Sequence, residues 1–279
     1  MPALKKITAL RRPSRPRGAK SSKATFAEPL SLRPPSWLLL ALEGRAFAEF
    51  WAGVLSVPLI NRLPRGDGQA VLVFPGLASG DLSTWVLRKF LSKLGYLPYG
   101  WKQGFNAGPR HGVLAGCKER IEELHALHGR KISLVGWSLG GLYAREMAKL
   151  MPEMVRQVVT LGSPFAGDPH ANHAWRVFEL LCRHRVDDPH LHERLREAPP
   201  VPTTSIYSKS DGIVAWQCSV QALGSQSENV EVPSSHFGLG FNPLVLYALA
   251  DRLSLQEGRW KPFARDGLRS LFFDTPGFD

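Results

Sequence analysis

The stretch Ile132-Ser133-Leu134-Val135-Gly136-Trp137-Ser138-Leu139-Gly140-Gly141-Leu142 decides the fold. Its first half is a short apolar run of the kind a strand shows when both of its faces are buried. Its second half opens a helix that the spacing carries from Leu139 to Met151. Between them lies Gly-x-Ser-x-Gly, and a sharp strand-to-helix turn at that point lifts the Ser138 hydroxyl clear of the sheet. Gly136 and Gly140 suit this geometry, because the departing helix crosses close to the strand and a side chain there would collide.

Working outward, similar apolar runs occur at Ala70 to Phe74, Val155 to Leu161, Thr203 to Tyr207 and Asn229 to Val232, with a weaker one at Tyr96 to Trp101. Helical patterns separate them at Leu82 to Leu94 and Gly112 to His128. Alternation of strand and helix predicts a mainly parallel sheet of about six strands flanked by helices, an α/β protein. Loops at the carboxyl ends of parallel strands open on one edge of the sheet. Two of them carry the partners that a serine nucleophile needs, a base to take its proton and a carboxylate to orient that base. His236 follows the last run and Asp211 follows the run before it, so Ser138, Asp211 and His236 can converge although 98 residues separate the first from the last. Attack on a carbonyl also requires amide donors for the developing oxyanion. Leu139 supplies one, directly after the nucleophile. The loop Phe74-Pro75-Gly76-Leu77-Ala78 supplies the other; Pro75 has no N–H, which leaves Leu77 or Ala78, with Leu77 the better placed.

Composition bounds the rest. The chain has 279 residues, 44% of them hydrophobic, enough for one large domain. Its net charge of +11 is uneven: residues 1–35 hold nine Lys or Arg against Glu28 alone, and the remainder has 26 basic against 23 acidic residues. A nearly balanced body gives no reason to expect nucleic-acid binding. Residues 1–35, basic and with six prolines, predict a disordered tail. Residues 36–60 predict an amphipathic helix packed on the body, with Ser36 as its N-cap and Pro58 as its stop. Peripheral membrane contact through the basic tail and residues 36–57 is the competing expectation for this segment. The main domain occupies residues 61–279. Glu43, Arg45 and Glu49 interrupt the most apolar stretch, so no span is expected, and the N-terminus lacks the apolar core and cleavage site of a secretory signal. Cys117, Cys182 and Cys218 are odd in number and follow no metal or disulfide spacing, which suits reduced thiols in a cytoplasmic protein.

Five segments together resemble the successive motifs of the α/β-hydrolases: Phe74-Pro75-Gly76-Leu77, Gly136-Trp137-Ser138-Leu139-Gly140-Gly141, Leu161-Gly162-Ser163-Pro164, Ser210-Asp211-Gly212-Ile213-Val214 and Ser235-His236-Phe237-Gly238-Leu239. The nearest branch is bacterial esterases similar to triacylglycerol lipases and to the inositol deacylases that act on glycolipid anchors. The resemblance covers about residues 70–250. It implies a serine hydrolase of carboxylic esters, acting on a small-molecule or lipid-like ester without metal or organic cofactor. An acyltransferase with the same triad, and a non-catalytic binding protein on the same fold, are the alternatives. Many members have His-Gly in place of Pro75-Gly76, and many lipases have Gly-His-Ser in place of Gly136-Trp137-Ser138. The insertion at about residues 165–200 corresponds to a small helical cap over the site. Trp137, Phe165, Trp175 and Phe178 are the candidate substrate-binding side chains. Five histidines in the insertion, His170, His173, His184, His190 and His192, have no spacing that demands a metal.

Overall fold

A computed structural model describes residues 32–182 and 194–274. Its centre is a six-stranded, fully parallel sheet: β1 (Ala70–Phe74), β2 (Leu97–Gly100), β3 (Ile132–Trp137), β4 (Val155–Leu161), β5 (Thr203–Tyr207) and β6 (Ser227–Glu231), in the spatial order β2-β1-β3-β4-β5-β6. Parallel pairing forces each connection to cross a face of the sheet, and helices supply the crossings. The period of two along β1 shows how both faces are used. Val71 and Val73 join one core with Leu87, Phe90 and Leu91 of α3 (Trp85–Lys93). Ala70, Leu72 and Phe74 join the other with Val113 and Ile121 of α4 (Val113–His128) and Met147 of α5 (Leu139–Leu150). All five β1 residues are fully buried, which explains why the strand reads as continuous apolar sequence.

The order reverses direction at β1 and β3, the place where an open α/β sheet leaves a crevice at its carboxyl edge. Gly140 makes the crossing there possible: a Cβ on it would sit 2.3 Å from the Phe74 carbonyl oxygen. That neighbour is backbone of the central strand and has nowhere to move.

The segment before the sheet differs from the expected single helix. It is two short helices, α1 (Trp37–Ala41) and α2 (Ala46–Leu55), joined by a 3₁₀ turn (Leu42–Arg45) and followed by another (Val57–Arg62) that contains Pro58. Ser36 caps α1 through the Leu39 N–H at 3.3 Å. The segment does lie on the body, but its inward face is the charged one: Glu43 is 6% exposed, whereas Trp37, Phe47 and Leu55 are each more than 70% exposed. Within the insertion the described residues include the helix α6 (Trp175–Cys182) and a helical stretch at 194–196; the basic tail up to residue 31, and His184, His190 and His192, lie outside the described residues. Helix α7 (Pro243–Leu253), N-capped by Asn242, closes the α3 side. Cys117 and Cys218 are buried free thiols. Among the described residues no helix is long and apolar enough to cross a membrane.

Replacing Gly140 with Ala should lower the unfolding free energy by about 1–3 kcal/mol, the penalty of overpacking against fixed backbone. Chemical denaturation measures this, and a wild-type midpoint would contradict the close crossing.

Candidate active site

Ser138 stands between the end of β3 and the first residue of α5 with φ 52° and ψ −123°, a conformation L residues rarely adopt. The elbow is held at both ends, by the Ser138 N–H on the Leu161 carbonyl at 2.8 Å and by the Gly141 N–H on the Ser138 carbonyl at 2.9 Å. The side chain is half-buried, at the edge where the carboxyl ends of the strands meet. The Leu139 amide is the first of α5, and the leading N–H groups of a helix have no partner within it.

The loop after β1 brings its own donors against this point. A Cβ on Gly76 would lie 3.4 Å from Ser138 Cβ. Of the two amides the sequence leaves open, Ala78 donates to the Asn106 carbonyl at 2.8 Å, so Leu77 is the one still available to a ligand. Asn106 is fully buried and holds the loop: its Nδ2 donates to Pro75 O at 2.9 Å, its own N–H to Ser79 O at 2.7 Å, and the Tyr143 hydroxyl donates to its Oδ1 at 3.2 Å. Nothing in the sequence near Asn106 marks it, because its partners lie on other loops.

At the far side of the rim His236 Nδ1 meets Asp211 Oδ2 at 2.6 Å, with both side chains 5% exposed or less. The second carboxylate oxygen accepts from the Ile213 and Val214 amides, each at 2.8 Å. That fixes the Asp211 rotamer and assigns the proton between the pair to Nδ1, leaving Nε2 as the basic nitrogen. Burial works against a charged imidazole, but the charge and hydrogen bond of Asp211 and the charge of Glu43 outweigh it and raise the His236 pKa above the ordinary histidine value. Gly162, at the end of β4, has φ +55°, and a Cβ there would come within 3.2 Å of both Asp211 Oδ2 and His236 Nδ1. The absence of that atom lets the pair reach across the end of β4 toward β3. Trp137 completes the link, its Nε1 donating to the His236 carbonyl at 3.2 Å.

The four aromatic candidates take different places. Trp137 is 9% exposed and braces the His236 loop. Phe165 is 2% exposed, and the buried Arg145 guanidinium lies 3.9 Å from its ring centroid, so it is packed into the body. Trp175 sits edge-on to His170 at 4.9 Å and is partly exposed. Phe178 is partly buried against the α4–α5 core. The exposed α6 positions are Arg176, Val177 and Leu180.

Three side chains absent from the sequence-based site bind its loops from the N-terminal segment. Glu43 Oε1 accepts from the Gly212 and His236 amides at 2.8 and 2.9 Å, and its Oε2 from the Phe237 amide at 3.0 Å. Glu49 accepts from the Ser235 amide at 2.8 Å and the Ser234 hydroxyl at 2.7 Å. Arg45 donates to the Ser210 carbonyl at 2.6 Å. The sequence did offer a signal, three charged residues, Glu43, Arg45 and Glu49, close together in an otherwise mostly apolar segment.

Because folding raises the His236 pKa, the ion pair stabilises the fold below the unfolded histidine pKa of about 6.5 and loses that effect as pH rises through the folded value. Asp211→Asn should therefore cost more stability at about pH 5 than at about pH 9, and should lower the imidazole pKa followed by NMR. An unchanged imidazole titration would contradict the pairing.

No family model matches the chain, and no curated protein matches it in sequence. Solved structures do match in fold. Aspergillus fumigatus lipase B is 18% identical with a TM-score of 0.53, over 68% of this chain and 54% of that one, so the chain spans about half the length of that lipase. An alpha/beta superfamily hydrolase from Oenococcus oeni PSU-1 is 17% identical with a TM-score of 0.51, over 66% of this chain and 91% of that one. The mature form of Bacillus licheniformis lipase BlEst2 is 13% identical with a TM-score of 0.50, over 68% and 94%. A six-stranded parallel sheet flanked by helices agrees with those matches: the chain has the α/β-hydrolase fold.

Proposed function

We propose that the protein is a serine hydrolase that cleaves carboxylic esters through an acyl-enzyme. The observation that carries this reading is the buried His236–Asp211 pair, 2.6 Å apart, on the same rim as a serine held at φ 52°. Ser138 Oγ attacks the ester carbonyl carbon while its proton passes to His236 Nε2. The electron pair displaced from the C=O bond rests on the oxyanion, which accepts from the Leu77 and Leu139 amides. Loss of one such donor typically costs about 10²–10³ in rate. Collapse of the intermediate breaks the C–O bond, and His236 returns the proton to the departing alcohol. Water then repeats the sequence on the acyl-enzyme, releases the acid and restores Ser138. Asp211 keeps its charge throughout and holds the imidazole in the tautomer that presents Nε2 to the hydroxyl. The reaction needs no metal or organic cofactor in this scheme.

The acyl part of the substrate is apolar in this reading. Val177 and Leu180 project from α6, 44% and 78% exposed, and a cap bearing them presents hydrocarbon to an incoming chain. The lipase names of two of the similar structures agree with ester chemistry of this kind.

Ser138→Ala should reduce turnover of a p-nitrophenyl acyl ester by about 10⁴-fold or more while leaving the melting temperature within a few degrees of wild type. Alanine inherits the same backbone strain and removes only the nucleophile. Activity within a few-fold of wild type in that variant would dismiss the mechanism.

A further inference from the structure

The catalytic reading leaves the N-terminal arm, residues 36–55, without a role, yet its polar side chains point into the rim. Glu43 is a buried carboxylate whose oxygens receive three backbone amides. One belongs to Gly212, the residue after Asp211; the second belongs to His236 itself; the third to Phe237. A single side chain thus bridges the loop after β5 and the loop after β6. Glu49 and Arg45 extend the bridge one layer outward, onto Ser234, Ser235 and Ser210. Bonds from amides to an ionised acceptor in a water-poor setting are among the stronger ones in proteins. The arm also meets the loop as backbone, since a Cβ on Gly212 would lie 2.3 Å from the Leu39 carbonyl oxygen.

We infer that Glu43 is a positioning residue for the His236–Asp211 pair and that the arm completes the active site. This rests on the proposed triad. The charged groups facing the imidazole are Asp211 from the loop after β5 and Glu43 from the arm, with Glu49 behind the backbone of Ser234 and Ser235. Removing the Glu43 charge weakens the preference for the protonated imidazole, so the acid limb of the activity profile moves to lower pH. A loop displaced by even an ångström loses about a hundredfold in rate.

The test is Glu43→Gln in the full chain, assayed as kcat and as kcat/KM against pH on a soluble p-nitrophenyl ester. The expected result is a lower kcat together with an acid limb shifted to lower pH. A folded variant with both unchanged overturns the inference. Should the variant fail to fold, wild-type NMR decides: the Gly212, His236 and Phe237 amide protons should be downfield and slow to exchange, and fast exchange at all three overturns it. These amides are read without turnover, so their result stands apart from the success or failure of the Ser138 assignment.

A different observation concerns the opposite face of the arm. Phe47, Trp51 and Leu55 follow one another at a spacing of four residues along α2 and are 72%, 49% and 76% exposed. Trp37 and Leu38 of α1 add 76% and 69%. Glu49, the one ionisable side chain in α2, faces the body, so the outward stripe is hydrocarbon and aromatic only. That is the reverse of the usual surface helix, and an exposed apolar stripe of this size marks an interaction site. The chain enters it from residues 1–35, with nine Lys or Arg and one acid. An apolar aromatic face joined to a polybasic segment matches two attractions of an anionic bilayer surface, shallow apolar insertion and headgroup charge. We propose that an anionic lipid surface covers this face and presents the ester to the adjoining rim. Sedimentation of the full chain with vesicles of phosphatidylcholine, or of phosphatidylcholine mixed with phosphatidylserine, tests it against a variant carrying Phe47→Ser, Trp51→Ser and Leu55→Ser. Wild type should pellet with the mixed vesicles, less so at high salt, while the variant stays in solution and melts within a few degrees of wild type. Wild type left in solution, equal pelleting of the variant, or a wild-type dimer that the three substitutions dissolve would each overturn the proposal.

Discussion

Everything at the carboxyl rim of the sheet depends on how closely α5 crosses the central strands. With no side chain at Gly140, the helix begins against the Phe74 carbonyl, and the chain must turn within one residue to enter it. That residue is Ser138, and its φ of 52° is the conformational consequence. Strain of this kind costs about 1–3 kcal/mol and persists only where the surroundings fix it. Here the surroundings are the parallel pairings of β3 with both of its neighbours, β1 and β4, which hold the residues on either side. A half-buried hydroxyl at the sheet edge follows from packing first and chemistry second.

The second requirement is to keep charge at that edge without water. Asp211, His236 and Glu43 are all 6% exposed or less, and unpaired charges at such depth would be prohibitive. Each is answered locally. Asp211 spends one oxygen on the imidazole and the other on two amides. Glu43 spends both on backbone amides of the loops after β5 and β6. The dependence runs in both directions, because α1 and α2, of five and ten residues, are too short to persist as isolated helices in water. The loops order the arm as much as the arm orders the loops.

The sheet was legible in the sequence because its strands are buried on both faces. Ala70–Phe74, Val155–Leu161 and Thr203–Tyr207 have the limits that their apolar runs indicate, and the weak run at Tyr96 to Trp101 is the edge strand β2. The positions of Ser138, Asp211 and His236 at strand ends were legible for the same reason. What the periodicity could not reveal was the orientation of the arm. A pattern of apolar and charged residues at helical spacing gives two faces without saying which one is inward, and the default places hydrocarbon against the body. In the arm the loop amides reverse that default: they need acceptors, and Glu43 and Glu49 are the acceptors within reach. Asn106 escaped notice for a related reason, since its bonds to Pro75, Ser79 and Tyr143 join loops and a helix far apart in sequence. Phe165 is the opposite case, an aromatic residue in the insertion that packs beneath Arg145.

The most direct measurement of the central claim is covalent labelling with a fluorophosphonate, which reacts with a serine hydroxyl only when a neighbouring base has activated it. Peptide mass analysis of the labelled full chain should place one adduct on Ser138, and His236→Ala should abolish it. No adduct on the folded protein, or one on Ser138 that persists without the imidazole, would contradict the account.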